Sequence, residues 1–190
     1  MHPRPLPLLL SLMLAGLAAL PAGATQMRHL DTRALVRGSN DILVGTVESV
    51  RSYWDTSRQH ILTDVTVRVS ESLKGAAGAT LTLTQVGGEV DGLRYDIEGS
   101  PRFTAGEEAL LFVWRDARGR AQVNGLAQGK FDIRRDPATG VAHVQRSLPG
   151  FGVRDVRTLT LVPAGEDAPG SLRLDDIKRE IQRALTEAGR

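Results

Sequence analysis

The chain contains no cysteine, and it has only two tryptophans, two tyrosines and four phenylalanines. The first absence excludes disulfide staples, thiolate metal sites, a thiol nucleophile and a lipidated N-terminal cysteine together. An excess of one charge sign is lacking as well: 24 Lys and Arg stand against 22 Asp and Glu, for a formal net charge of +2. The sequence pI of about 9.4 looks basic, but so balanced a mixture makes no field that gathers nucleic acid, and no nucleic-acid partner is expected. The scarcity of aromatics for stacking on bases agrees. At 190 residues the chain has the size of one ordinary domain.

Apolar runs long enough to cross a membrane are missing too. Leu8 to Leu20 falls short of the roughly 20 residues that a span needs. It follows His2 and Arg4 and precedes Pro21 and the small-x-small triplet Ala22-Gly23-Ala24, the pattern of an export signal. Residues 1–24 are therefore expected to be a signal peptide cut between Ala24 and Thr25. That leaves one domain over 25–190 with no membrane span, and its charge is one unit less positive because the leader carries Arg4 and no acid. Exported domains without disulfides suit a bacterial periplasm or medium better than eukaryotic secretion.

What is present is mostly strand pattern. A short helix is expected after Asp31, with Asp31 as its cap, Leu30 and Leu35 as a hydrophobic staple and Gly38 as a left-handed stop. Ile42 to Val50 opens apolar on both sides, as a central strand does. From Ile61 to Ser70 the pattern has period two, with Ile61, Thr63, Val65, Val67 and Val69 on a buried face and Leu62, Asp64, Thr66, Arg68 and Ser70 on a largely wet one. Ala79 to Val86 reads as a half-exposed, threonine-rich strand. Glu89 to Gly106 has no long period and reads as one long loop, functional or mobile.

Glu108 to Trp114 is again apolar on both faces, and a meander follows through Ala121–Asn124, Gly129–Arg135 and Val141–Arg146, with Asp136-Pro137-Ala138-Thr139-Gly140 as a hairpin link. Ser147 to Gly170 is rich in Gly and Pro, with one short strand expected at Val156–Leu161. A final helix is expected over about 175–188, capped by Asp175. Ile177, Ile181, Ala184, Leu185 and Ala188 form its apolar stripe, and Asp175–Arg179 and Arg183–Glu187 are i,i+4 pairs. Short, mostly antiparallel strands with a helix near each end argue for a mainly β fold, a small OB-like barrel. An immunoglobulin-like sandwich is the alternative. A first strand that bends at Gly45 and pairs with both the second strand and a later one distinguishes the barrel.

The series Val44-Gly45-Thr46-Val47, Glu71-Ser72-Leu73-Lys74-Gly75, Gln85-Val86-Gly87-Gly88, Gly106 to Phe112 and Gly125 to Phe131 resembles a group of exported bacterial proteins of uncharacterised function. More distantly, over roughly residues 40–135, it is similar to netrin-like and tissue-inhibitor-of-metalloproteinase-like OB domains. The resemblance implies an OB fold. It does not bring the inhibitors' mechanism, which needs an N-terminal cysteine to chelate zinc, because the expected mature chain starts at Thr25 and has no cysteine. Fold likeness leaves function to be argued from the site.

The residues supply little chemistry. His29, His60 and His143 lie far apart without ligand spacing, so no metal and no cofactor are expected. Ser147 and Ser171 have no base nearby and no Gly-x-Ser-x-Gly elbow. Glu107 and Glu108, as strand neighbours, point to opposite faces and cannot flank one bond. Asp91, Asp96 and Glu98 lack the spacing of a calcium loop, and Gly87-Gly88 and Gly92 lack that of a phosphate loop.

The candidate binding residues are Tyr53 and Trp54, placed in the turn between the first two strands, and Tyr95, Arg102 and Phe103 in the long loop. The competing structural role is for Trp54 to fold back and plug the barrel end. The expected function is an exported, non-catalytic domain that binds a protein, peptide or glycan in the cell envelope. The alternatives are a hydrolase using dispersed carboxylates such as Asp64 or Asp91, and a structural or assembly protein of the envelope.

Overall fold

A computed structural model describes residues 27–146, 153–154, 161–162 and 172–189. The expected signal segment with its Ala24–Thr25 junction lies outside the described residues, as do Ser147, Ser171 and residues 156–160 of the strand expected there.

In chain order the elements are β1 (Met27–Arg28), α1 (Thr32–Gly38), β2 (Asp41–Trp54), β3 (Ile61–Lys74), β4 (Thr80–Val86), β5 (Gly88–Val90), β6 (Leu93–Tyr95), β7 (Glu108–Arg115), β8 (Ala121–Val123), a 3-10 turn (Leu126–Gly129), β9 (Lys130–Arg135), β10 (Ala142–Arg146), β11 (Val153–Arg154), β12 (Leu161–Val162), β13 (Leu172–Arg173) and α2 (Leu174–Ala188). Strands β2, β3, β4, β8 and β7 close into a small OB-like barrel. Closure runs through the parallel pair Leu83↔Ala121 and the antiparallel β7–β8 ladder. As the barrel requires, β2 pairs with both β3 and β7, and its register shifts between Val44 and Gly45. A Cβ on Gly45 would stand 2.6 Å from the Arg68 carbonyl, so only glycine lets β2 bend this close to β3. From β7 the sheet continues outward through β9, β10 and β13.

Two cores explain the strands that are apolar on both faces. Leu43, Val47, Val65, Val67, Leu83, Leu111 and Val113 fill the barrel. Ile42, Val44, Leu110, Phe112, Phe131, Ile133 and Val144 face the other way, onto α1 and α2. Phe112 and Phe131 meet with ring centroids 5.8 Å apart. In α2 the stripe Ile177, Ile181 and Ala184 is buried, with Leu174 added and Ala188 exposed. Burying side chains of this size contributes about 1.5–3 kcal/mol each.

The helix ends differ from the expected ones. Asp31 does cap α1, accepting from the Ala34 N–H at 2.7 Å. Gly38, however, is still helical and not left-handed. Its bare Cα instead admits the Asn124 amide, which a Cβ would meet at 2.8 Å. The helix is closed by side chains: Ser39 Oγ donates to the Leu35 carbonyl at 2.7 Å, and Lys74 Nζ donates to the carbonyls of Val36, at 2.8 Å, and Ser39. Asp175 does not cap α2. The helix starts one residue earlier, at Leu174, because that apolar residue belongs to the core; Asp175 and Asp176 occupy its first turn. Arg179 pairs with Asp176 rather than Asp175, and Glu187 with Arg33 of α1 at 3.4 Å rather than Arg183. Those choices follow the i,i+3 spacing and the neighbouring helix.

Candidate ligand cavity at the barrel end

β2 outlasts the barrel. Burial stops after Val47, while pairing with β3 continues to Trp54↔Ile61. Tyr53 and Trp54 are therefore the end of a strand and not a turn. The turn begins at Asp55, whose Oδ1 accepts the N–H groups of Gln59 at 2.9 Å and His60 at 3.2 Å and whose Oδ2 accepts from Ser57 Oγ at 2.8 Å. These bonds, the Ser57 hydroxyl foremost, hold the Asp55 carboxyl well below the usual carboxylate range. His60 Nδ1 lies 3.2 Å from the same carboxylate. Because Asp55 stands between Ser57 and His60, the imidazole is not arranged to take the serine proton.

Consecutive strand residues project to opposite faces. Tyr53 Oη donates to Asp64 Oδ1 at 3.1 Å, which also accepts from Thr84 Oγ1 at 2.8 Å. Partial burial, then the bond to Asp64, raises the Tyr53 phenol above its ordinary value. Trp54 Nε1 donates to Asp91 Oδ2 at 3.1 Å. Trp54 thus ties down the next hairpin and does not plug the barrel.

The stretch read as one long loop has internal structure. β5 and β6 form a hairpin through Asp91 and Gly92, both at positive φ, 54° and 75°, the geometry that favours Asp-Gly between strands. Residues 96–107 then cross the barrel end, held by Ala127 N–H to the Gly99 carbonyl at 2.8 Å, Gln85 Nε2 to the Pro101 carbonyl at 3.3 Å and Gly106 N–H to the Val47 carbonyl at 2.8 Å. Phe103 packs on the barrel core. The ammonium of buried Lys130 lies 5.1 Å from its ring centroid and pairs with Glu107 at 2.9 Å and with Asp132. Phe103, and not Trp54, is the aromatic that packs on the barrel core here.

Between this crossing segment and the inner face of the β2–β3 hairpin is a cavity of about 660 Å³, lined by Val50, Ser52, Thr63, Gln85, Tyr95, Arg102 and Phe103 among others. Its floor is a hydroxyl relay. Thr63 Oγ1 donates its one proton to the Gly87 carbonyl at 2.6 Å, so at 2.8 Å Ser52 Oγ is the donor to Thr63. Gly88, at φ 137°, completes it; a Cβ there would stand 2.4 Å from both hydroxyl oxygens. Val50, Val86, Leu93 and Tyr95 are the exposed large apolar side chains nearby, Tyr95 being 44% accessible.

Of the sequence-predicted residues, Tyr95, Arg102 and Phe103 come together at the cavity, while Tyr53 and Trp54 do not line it. Ser52, Thr63, Gln85 and Gly88 were missed. The signals available were the one hydroxyl on the inward face of an otherwise apolar β3 and the paired glycines after β4. Glu107 and Glu108 serve separate cations, Lys130 and Arg135, as their alternation implies. Asp91 is engaged by the Trp54 indole and Asp96 by Arg94 at 3.0 Å. Among the described residues there is no group of three or more His, Asp or Glu that could hold a metal, and no helix long and apolar enough to cross a membrane. No protein-family model matches the chain, and no curated protein matches it.

Proposed function

We propose that the chain is an exported bacterial binding module, periplasmic or extracellular, that recognises a protein, peptide or glycan without catalysing a reaction. The observation that carries this reading is the preformed cavity at the barrel end. Its walls are pinned at both ends, its floor hydroxyls are already oriented, and Tyr95 and Arg102 stand exposed at its rim. Sites for small ligands and chain segments are concave and carry a few fixed polar groups that set orientation, and here apolar Val50, Tyr95 and Phe103 share the lining with Ser52, Thr63 and Gln85. The separation of Asp64 from Asp91 supports a reading without catalysis: the two are held by Tyr53 and Trp54, which leave the strand on opposite faces. Export rests on the leader pattern of residues 1–24. The netrin-like affinity rests on the Val44–Val47 and Leu73–Gly75 segments, where Gly45 and Lys74 have the structural duties described above.

The test is binding of the protein over Thr25–Arg190 to glycan and peptide arrays. Tyr95→Ala and Arg102→Ala are each expected to weaken the strongest interaction by about tenfold, the loss of one direct contact with the ligand. Trp114→Ala, an exposed aromatic outside the cavity lining, should leave it unchanged. Equal losses from all three would contradict the placement, and no ligand of either class would contradict the reading itself.

A further inference from the structure

The phase of hydrogen bonding along β2 says which backbone groups remain to be satisfied. The Asp55 N–H donates to the His60 carbonyl at 2.8 Å, so Tyr53, Arg51 and Ser49, two residues apart, also turn their N–H and C=O toward β3. The other strand agrees. Gly87 N–H donates to the Ile61 carbonyl at 2.8 Å, so Ile61, Thr63 and Val65 face β4, and their partners Trp54, Ser52 and Val50 face away from β3. On that side β7 pairs with β2 only as far as Thr46, and Gly106 and Glu107 satisfy Val47. The outward groups of Val50, Ser52 and Trp54 have no backbone partner among the described residues. Val50 and Ser52 are also walls of the cavity.

We propose that the ligand is an extended polypeptide segment of another protein, which adds as a strand to the free edge of β2 at Val50–Trp54 and sends alternate side chains into the cavity. The inference rests on the preceding reading that this cavity is a binding site, and it names the ligand class. An uncovered edge is a template for another chain, and natural sheets protect it when it is not used. Here the side chains at the three outward positions, Val, Ser and Trp, carry no charge. Main-chain bonds along an edge supply affinity, and pockets for every second side chain supply specificity. An added strand presents its residues to one face with period two, and the Val50–Ser52 face is the one that opens on the cavity, with Tyr95 beside it. A second copy of this chain fits less well. Centred on Ser52, an antiparallel copy would bring its own Val50, Ser52 and Trp54 to that face, and Trp54 is held by Asp91.

The test uses the protein over Thr25–Arg190 and a displayed library of random decapeptides. The tightest binder is synthesised, and each backbone amide is N-methylated in turn. Strand addition is expected to make every second N-methyl group weaken binding by about tenfold, one lost bond at an edge, with the intervening positions within about twofold. The unmodified peptide should slow amide exchange at Val50, Ser52 and Trp54. A scan without period two, or unchanged exchange at those three amides, overturns the proposal. Glycan binding with no decapeptide selected also overturns it while leaving the binding reading intact. A sedimenting dimer that the peptide does not dissociate assigns the edge to a second copy and overturns it as well.

Discussion

The two halves of β2 differ in burial and in pairing. Asp41–Val47 is buried on both faces and paired on both edges, Leu43 and Val47 inside the barrel and Ile42 and Val44 under the helices. Glu48–Trp54 is paired with β3 alone, with Val50 at 40% accessibility. One strand, its register against β3 shifting between Val47 and Ser49, thus carries a two-sided core at one end and an open edge and cavity at the other. Dense packing makes the first half intolerant of change, while the second half is held by turn and side-chain bonds that are individually small.

Substitutions should separate the halves, and the largest effect belongs to the core. Phe112→Ala removes a fully buried ring packed on Phe131 and is expected to cost about 3–5 kcal/mol in urea unfolding. Lys74→Met comes next, because it strands the helix-end carbonyls of Val36 and Ser39; about 1–3 kcal/mol is expected. Gly88→Ala forces a positive φ on a side chain and drives it against Ser52 and Thr63, so about 1–3 kcal/mol should be lost together with ligand binding. A loss of binding from Gly88→Ala without loss of stability would show that the floor, and not the strand, bears the strain.

The smallest effects are electrostatic. Asp55, Asp116 and Asp136 cap their turns and are held below the usual carboxylate range, by the Ser57 hydroxyl and by the N–H groups of Arg120 and Thr139 respectively. Their folded values lie below their unfolded ones, so their support is present above the ordinary carboxylate range and fades as pH falls toward the folded values. Thermal melting should therefore decline modestly on acidification, less so in Asp136→Asn; an equal decline in that variant would remove Asp136 from the account. Tyr53 should titrate above an ordinary tyrosine by ultraviolet difference spectroscopy, and Asp64→Asn should bring it down.

The buried half was legible because it is apolar. The runs Ile42–Val44 and Ala109–Val113 have no polar face, and two cores are the physical meaning of that pattern. The open half was less legible because its alternation is polar, and Tyr53-Trp54 sits directly before a cluster of turn formers. Chain direction reverses only where Asp55 accepts two backbone N–H groups, a tertiary detail of a tight turn. The β5–β6 hairpin did carry a local signal, Asp91-Gly92, hidden by the shortness of both strands. Gln128 carried none. It is fully buried, accepting from Leu30 N–H at 2.8 Å and donating to the Arg28 carbonyl at 2.9 Å, and an amide in a glycine-rich stretch reads as solvent-exposed until its distant partners are known.

Amide hydrogen exchange along β2 of the ligand-free protein tests the contrast most directly. The expected result is strong protection through Leu43–Val47, then an alternation in which Ser49, Arg51 and Tyr53 remain slow and Val50, Ser52 and Trp54 exchange fast. Uniform protection from Asp41 to Trp54 would mean that the outward edge is already covered, and it would contradict the account.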